Sequence, residues 1–271
     1  MTCLSNRFMD DFDDTEPPPA RPAATLVLFR DRAEGPPEIL MVERSEGMRF
    51  AGGAIVFPGG RVDEDDHVLA GRLAHDIEPD CAAARVAAIR ETIEESGIPI
   101  GIVGAASHDW LEEARAALHA HAPFSGLLDA AGLSLDLDAL IPFARWRPKH
   151  KEARVFDTRF YIARAPDDLP LEVVDATENV RTFWESAAGA IALAAEGKVK
   201  VIYPTMRNLE RLALFGSYDE AERHALDLSV TMISPFMEER ADGRYLCIPE
   251  GTGYPVTAER LDRAVTAFNL K

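Results

Sequence analysis

The sequence predicts an α+β domain, and three observations predict it: apolar runs of strand character near the N-terminus, a long helix with an apolar stripe beginning at Ala82, and strand and helix patterns that mix without a regular βαβ repeat. The first strand starts at Ala23, in the run Ala-Thr-Leu-Val-Leu-Phe; Glu38 to Glu43 and Ala54 to Phe57 read as two more, and together they lead into Pro58-Gly59-Gly60. A polar stretch containing His67 to Asp80 follows. Ala82 to Ser96 reads as a helix because Val86, Ile89 and Ile93 recur at spacings of three and four, and Gly97 stands where a helix C-cap belongs. Trp110 to Ala120 is a second helix. Strands near Leu140 to Trp146 and Arg154 to Ala163 are separated by Pro148-Lys149-His150. Helical patterns return at Ser186 to Glu196, Met206 to Phe215 and Asp219 to Leu226, and Phe236 to Pro249 reads as a hairpin around Asp242-Gly243.

The expected organisation has three parts. Residues 1–21 carry Asp10, Asp11, Asp13, Asp14, Glu16 and then Pro17 to Pro19, with little to bury, and are predicted to be a disordered tail. Residues 22–215 form the main domain, and residues 216–271 an extension of helix and hairpin packed on it.

Composition narrows the function. A net charge of −17 over 271 residues repels a phosphate backbone, which argues against nucleic acid and anionic membranes as partners. A small anion is still allowed, because bound cations and a few arginines reverse the field inside one pocket. No apolar run is long enough to span a membrane, and Cys3, Cys81 and Cys247 are too scattered for a disulfide framework or a Cys-x-x-Cys site; the expected location is the cytoplasm.

The stretch Arg90-Glu91-Thr92-Ile93-Glu94-Glu95-Ser96-Gly97-Ile98 carries the chemistry. Glu91, Glu94 and Glu95 stand at i, i+3 and i+4, on one helix face. Crowded carboxylates repel unless something neutralises them, and a hard divalent cation such as Mg²⁺ or Mn²⁺ does so while bridging to phosphate oxygens. Arg90 reaches Glu94 at i+4 and holds it. A solvated helix face is the competing reading.

With Phe57-Pro58-Gly59-Gly60 upstream, this helix resembles the box of the Nudix hydrolases: Gly, five residues, Glu, seven residues, Arg-Glu-U-x-Glu-Glu-x-Gly-U, with U aliphatic. Gly60 opens the pattern and Ile98 closes it. Asp66 stands where the family has Glu, with Glu64 as a substitute candidate, and Thr92 stands at one aliphatic position. Arg90 follows Asp66 by 24 residues where the pattern has eight, an insertion of 16 residues around 67–82. The resemblance implies a Nudix fold, a mixed sheet between helices. It also implies Mg²⁺ or Mn²⁺ held by Glu91, Glu94, Glu95 and the Gly59 carbonyl. The catalytic set is then Arg90, Glu94 and Glu95, with Glu178, before Phe183-Trp184, as a candidate general base or further metal ligand; a plain loop acid is the alternative there.

Directly upstream, Arg44-Ser45, three residues, Arg49, three residues, Gly53 and then Phe57 to Gly60 resembles the signature of Nudix coenzyme A diphosphatases, without the threonine of that signature. Arg44 and Arg49 supply planar, permanently charged forks for phosphate oxygens. Phe156 to Tyr161 and Pro204-Thr205-Met206-Arg207-Asn208-Leu209 resemble the acyl-coenzyme A branch, although Met206, Leu209 and Leu212 at helical spacing also fit a core. The resemblance implies hydrolysis of coenzyme A or its acyl derivatives to 3′,5′-ADP and (acyl) 4′-phosphopantetheine. ADP-ribose or another nucleoside diphosphate derivative is the alternative substrate, and a non-catalytic ligand sensor the alternative class. The insertion covers the pocket or forms a homodimer contact. His119 and His121, two apart, face different directions and make poor joint ligands.

Overall fold

The computed structural model describes residues 20–44, 53–148, 155–166, 176–177 and 180–262. The expected acidic tail therefore lies almost wholly outside the described residues. In chain order the elements are β1 (Arg21–Arg30), β2 (Glu38–Arg44), β3 (Ala54–Val56), β4 (Gly59–Arg61), α1 (Glu64–Ala70), α2 (Pro79–Ser96), β5 (Ile102–Val103), α3 (His108–His119) and α4 (Phe124–Ala131). Next come β6 (Ser134–Leu135), β7 (Ile141–Trp146), β8 (Phe156–Arg164), β9 (Ala176–Thr177), β10 (Val180–Ser186), α5 (Ala187–Ala195), β11 (Lys200–Val201), α6 (Tyr203–Leu212) and α7 (Tyr218–Asp227). The last are β12 (Met232–Ile233), β13 (Phe236–Arg240), β14 (Gly243–Cys247) and β15 (Ala258–Arg260).

The large sheet runs β11-β3-β2-β1-β8-β7-β12, with β4 on β1 and β10 on β2. Strand β1 is its hub. It lies parallel to β8 from Arg21↔Phe156 to Phe29↔Arg164, and antiparallel to β4 from Ala23↔Arg61 to Thr25↔Gly59. Strand β2 pairs antiparallel with β10 along its whole length, Arg44↔Val180 to Glu38↔Ser186. Parallel and antiparallel ladders thus share one sheet, with helices on both faces, which is the expected α+β class.

The period of two along β1 divides the interior. Ala24, Leu26 and Leu28 face α2, together with Leu40, Tyr161 and the apolar residues of α1, α3 and α4. Val27 and Phe29 face α5, α6 and α7, with Phe143, Trp146, Tyr203, Tyr218 and Tyr254. The first layer is thin: Ala82, Ala83, Ala84, Ala87 and Ala88 of α2 are all fully buried. Side chains this small let the helix backbone approach the sheet. The small sheet β13-β14-β15 adds Leu246 to the second layer, and Ile248 and Tyr254 from the segment between β14 and β15 join it.

Several elements depart from the sequence pattern. The polar stretch after Gly60 contains α1, begun by a reciprocal capping box between Asp63 and Asp66 and by acids in its first turn. The residues inserted into the box form the end of α1, a turn, and the start of α2, which begins at Pro79 with Glu78 accepting from the Asp80 and Cys81 N–H groups. Helix α4 and strand β10 were not anticipated; β10 alternates Arg181, Thr182, Phe183, Trp184 with the pleat, a signal too short to separate from a loop. The hairpin around Asp242-Gly243 is present, with Arg240↔Gly243 closing the ladder. Gly97 ends α2 with φ 71°, its N–H donating to the Ile93 carbonyl, as the C-cap reading requires.

Candidate functional site

The site forms where β4 meets the C-terminal half of α2. A Cβ on Gly60 would fall on the Glu91 carboxylate, and one on Gly59 would fall on the Ala24 carbonyl and lie 2.7 Å from Thr25 Oγ1. Gly59 therefore needs glycine for close approach to backbone, whereas at Gly60 a side chain would have to displace the Glu91 carboxylate. The Gly59 N–H donates to Glu95 Oε2 at 3.0 Å, so strand and helix are joined through a box carboxylate.

Arg90 organises the other side. Its Nε and Nη2 donate to the two oxygens of Asp66 at 2.9 and 3.0 Å, Nη2 also to the Arg61 carbonyl at 2.9 Å, and Nη1 to Glu91 Oε1 at 2.8 Å. Glu94 is reached only at 3.8 Å. Asp66 is fully buried, and its second task is to accept from the Asp63 N–H at 2.8 Å. The shorter acid thus serves as the guanidinium's bidentate partner from α1. Glu64, the substitute candidate, is exposed on the first turn of that helix. Thr92, at the position where the pattern has an aliphatic residue, is buried and spends its hydroxyl on the Ala88 carbonyl at 2.7 Å.

Electrostatics mark the site. Burial, with Glu94 and Asp66 nearby, outweighs Arg90 and pushes the Glu91 carboxyl up to about 7. Burial and the charge of Glu91 push Glu95 up to about 8, against the pull of the Gly59 N–H and of Arg44. These are carboxylates whose repulsion the protein leaves only partly compensated. Hard oxygen donors under that repulsion fit a divalent cation. Among the described residues no three His, Cys, Asp or Glu side chains already converge on one point: Glu91 is turned to Arg90 and Glu95 to Gly59.

Arg44 ends β2 on the face that carries Leu40 and Val42 toward α2, which is why its charge acts on Glu95. Arg49 and Glu178, the other proposed ligand residues, lie outside the described residues.

Two side chains of α3 were missed. Arg115 Nε donates to the Glu94 carbonyl at 3.1 Å, and His119 Nδ1 lies 3.3 Å from Glu94 Oε1. The available signal was their i, i+4 spacing on a predicted helix. His121, beyond the helix end in left-handed backbone with φ 61°, does not share this face.

The later motifs are largely structural. Met206, Leu209 and Leu212 belong to the second core, and Tyr161 donates its hydroxyl to the Cys81 carbonyl at 3.2 Å.

No family model matches the chain. It is 25% identical over 211 residues to the Caenorhabditis elegans protein assigned the name nudix hydrolase 7, an alignment covering 75% of this chain and 64% of that relative. The chain thus spans under two thirds of the curated relative's length. The crystal structure of a NUDIX hydrolase from Alicyclobacillus acidocaldarius superimposes with TM-score 0.63 and 28% identity, over 76% of this chain and 96% of that one. The NUDIX domain of Shewanella oneidensis NrtR, solved with ADP-ribose, gives TM-score 0.39 at 13% identity over 83% of this chain and 99% of that one, too distant to bear on substrate.

Proposed function

We infer from the box, the fold and these relatives that the chain belongs to the Nudix hydrolase superfamily, and we propose that it is a metal-dependent diphosphatase acting on coenzyme A or an acyl derivative. The observation that carries the reading is the junction of Gly59-Gly60 with Glu91 and Glu95, a glycine strand against crowded acids whose affinity for protons is raised. Glu91, Glu94 and Glu95, with the Gly59 carbonyl, would hold Mg²⁺ or Mn²⁺. The bound metal supplies charge neutralisation of the diphosphate and a water of lowered pKa.

The chain's own residues set the rest. Arg90, gripped by Asp66, fixes the helix face and Glu91 in particular. Glu94 and Glu95 are proposed as the proton-handling carboxylates, with Glu178 as the alternative base. Arg44, whose charge acts on Glu95, is proposed as a fork for phosphate oxygens, and Arg49 is proposed to pair with it. A small-molecule diphosphate is accordingly the proposed partner. No helix among the described residues is long and apolar enough to cross a membrane.

Purified protein with Mg²⁺ and coenzyme A, an acyl-coenzyme A or ADP-ribose, followed by chromatography of products, tests the proposal. The expected products are 3′,5′-ADP and (acyl) 4′-phosphopantetheine. Turnover of ADP-ribose with coenzyme A untouched would transfer the proposal to the alternative substrate, and turnover of none would favour a ligand sensor.

A further inference from the structure

We propose that α3 is a positioning element for the metal site, in which Arg115 and His119 fix Glu94 by its backbone and its side chain. The proposal rests on Glu94 being a metal ligand.

Four residues apart, Arg115 and His119 share one face of α3. The C-terminal end of α2 leaves carbonyls without intrahelical partners. Arg115 takes two of them, donating from Nε to Glu94 O at 3.1 Å and from Nη2 to Glu95 O at 3.5 Å. Gly97 admits this approach, since its absent Cβ would stand 3.1 Å from Arg115 Cδ. One turn later along α3, His119 Nδ1 meets the Glu94 carboxylate at Oε1, while Oε2 of the same group lies 3.8 Å from Arg90 Nη1. Glu94 is therefore held from two helices. His119 Nδ1, 3.3 Å from Oε1, narrows the poses open to the Glu94 carboxylate, as partners of metal-ligating side chains do elsewhere. Nothing in the nine-residue box motif encodes this; the two side chains come from a separate helix.

The test is Mn²⁺ binding to the full chain, followed by the spin-resonance signal of free Mn²⁺, for wild type, His119→Ala, His119→Asn, Glu94→Gln and the double variant Glu94→Gln/His119→Ala. His119 has a half-exposed side chain, so folding is expected to survive, and melting in EDTA checks it. His119→Ala should weaken Mn²⁺ binding by about tenfold. His119→Asn, whose amide reaches the Nδ1 position, should restore most of it. In the Glu94→Gln background, His119→Ala should cost nothing further. Wild-type affinity in His119→Ala, or an equal loss in both backgrounds, would overturn the proposal. If Glu94→Gln alone binds Mn²⁺ like wild type, the metal-ligand reading of Glu94 fails and the proposal with it, a pattern distinct from the other two.

Discussion

The two faces of the large sheet are packed by opposite means. The layer of α2 is built with alanines, Ala82 to Ala84, Ala87 and Ala88, whereas the opposite layer holds Trp146 of β7, Tyr203 of α6, Tyr218 of α7 and Tyr254 of the segment after β14. On the aromatic face, polar groups are absorbed into the core: Trp146 Nε1 donates to Tyr254 Oη at 2.9 Å, and that hydroxyl donates to Asn208 Oδ1 at 2.7 Å. On the alanine face, buried carboxylates gather at one edge, where Gly59, Gly60, Glu91 and Glu95 meet. The difference teaches that the thin layer serves approach: with small side chains beneath it, a helix comes close enough for its carboxylates to touch a strand's backbone.

That contrast breaks first at Asp66. Asp66→Ala removes the bidentate partner of the buried Arg90 guanidinium, leaving it Glu91 and the Arg61 carbonyl, and should cost roughly 3–5 kcal/mol of stability, read by urea unfolding; a loss under 1 kcal/mol would mean that these remaining partners suffice. Gly60→Ala should leave a folded protein whose kcat/KM falls on the order of a hundredfold, because the new methyl displaces Glu91. Tyr254→Phe, on the aromatic face, should destabilise by about 1–3 kcal/mol through the unpaired Trp146 and Asn208 groups while leaving kcat/KM unchanged. Equal damage to activity and stability there would dissolve the contrast.

The smallest effect concerns pH. Glu91 and Glu95 are raised from 4.5 to about 7 and about 8, so the folded chain holds protons that the unfolded chain has released. Their stabilising contribution is complete below the unfolded value of about 4.5 and is lost as pH rises through about 7 and 8. In EDTA the melting temperature should therefore fall between those limits. Mg²⁺, which favours the ionised acids, should raise it most at the alkaline end; a metal effect independent of pH would argue that the cation binds elsewhere.

Much of this was legible because it is local. Val86, Ile89 and Ile93 announced α2, and Gly60 with Arg90-Glu91 announced the site across a long insertion. The rest depends on contacts that periodicity does not encode. The polar run that became α1 is stabilised by Asp63 and Asp66 capping each other and by Arg90 of α2, so its helical state is decided by a residue far along the chain. His119 looked idle beside His121, because what gives it a role is Glu94 on another helix. The α+β class, in contrast, followed from the mixture of periods alone.

The most direct test of the central claim is the rate of coenzyme A cleavage at saturating Mg²⁺ for wild type and Glu95→Gln. If the Gly59-Gly60 strand and the box carboxylates form the reacting centre, the substitution should lower kcat by at least about a hundredfold with the fold intact. A Glu95→Gln enzyme within twofold of the wild-type rate would contradict the account.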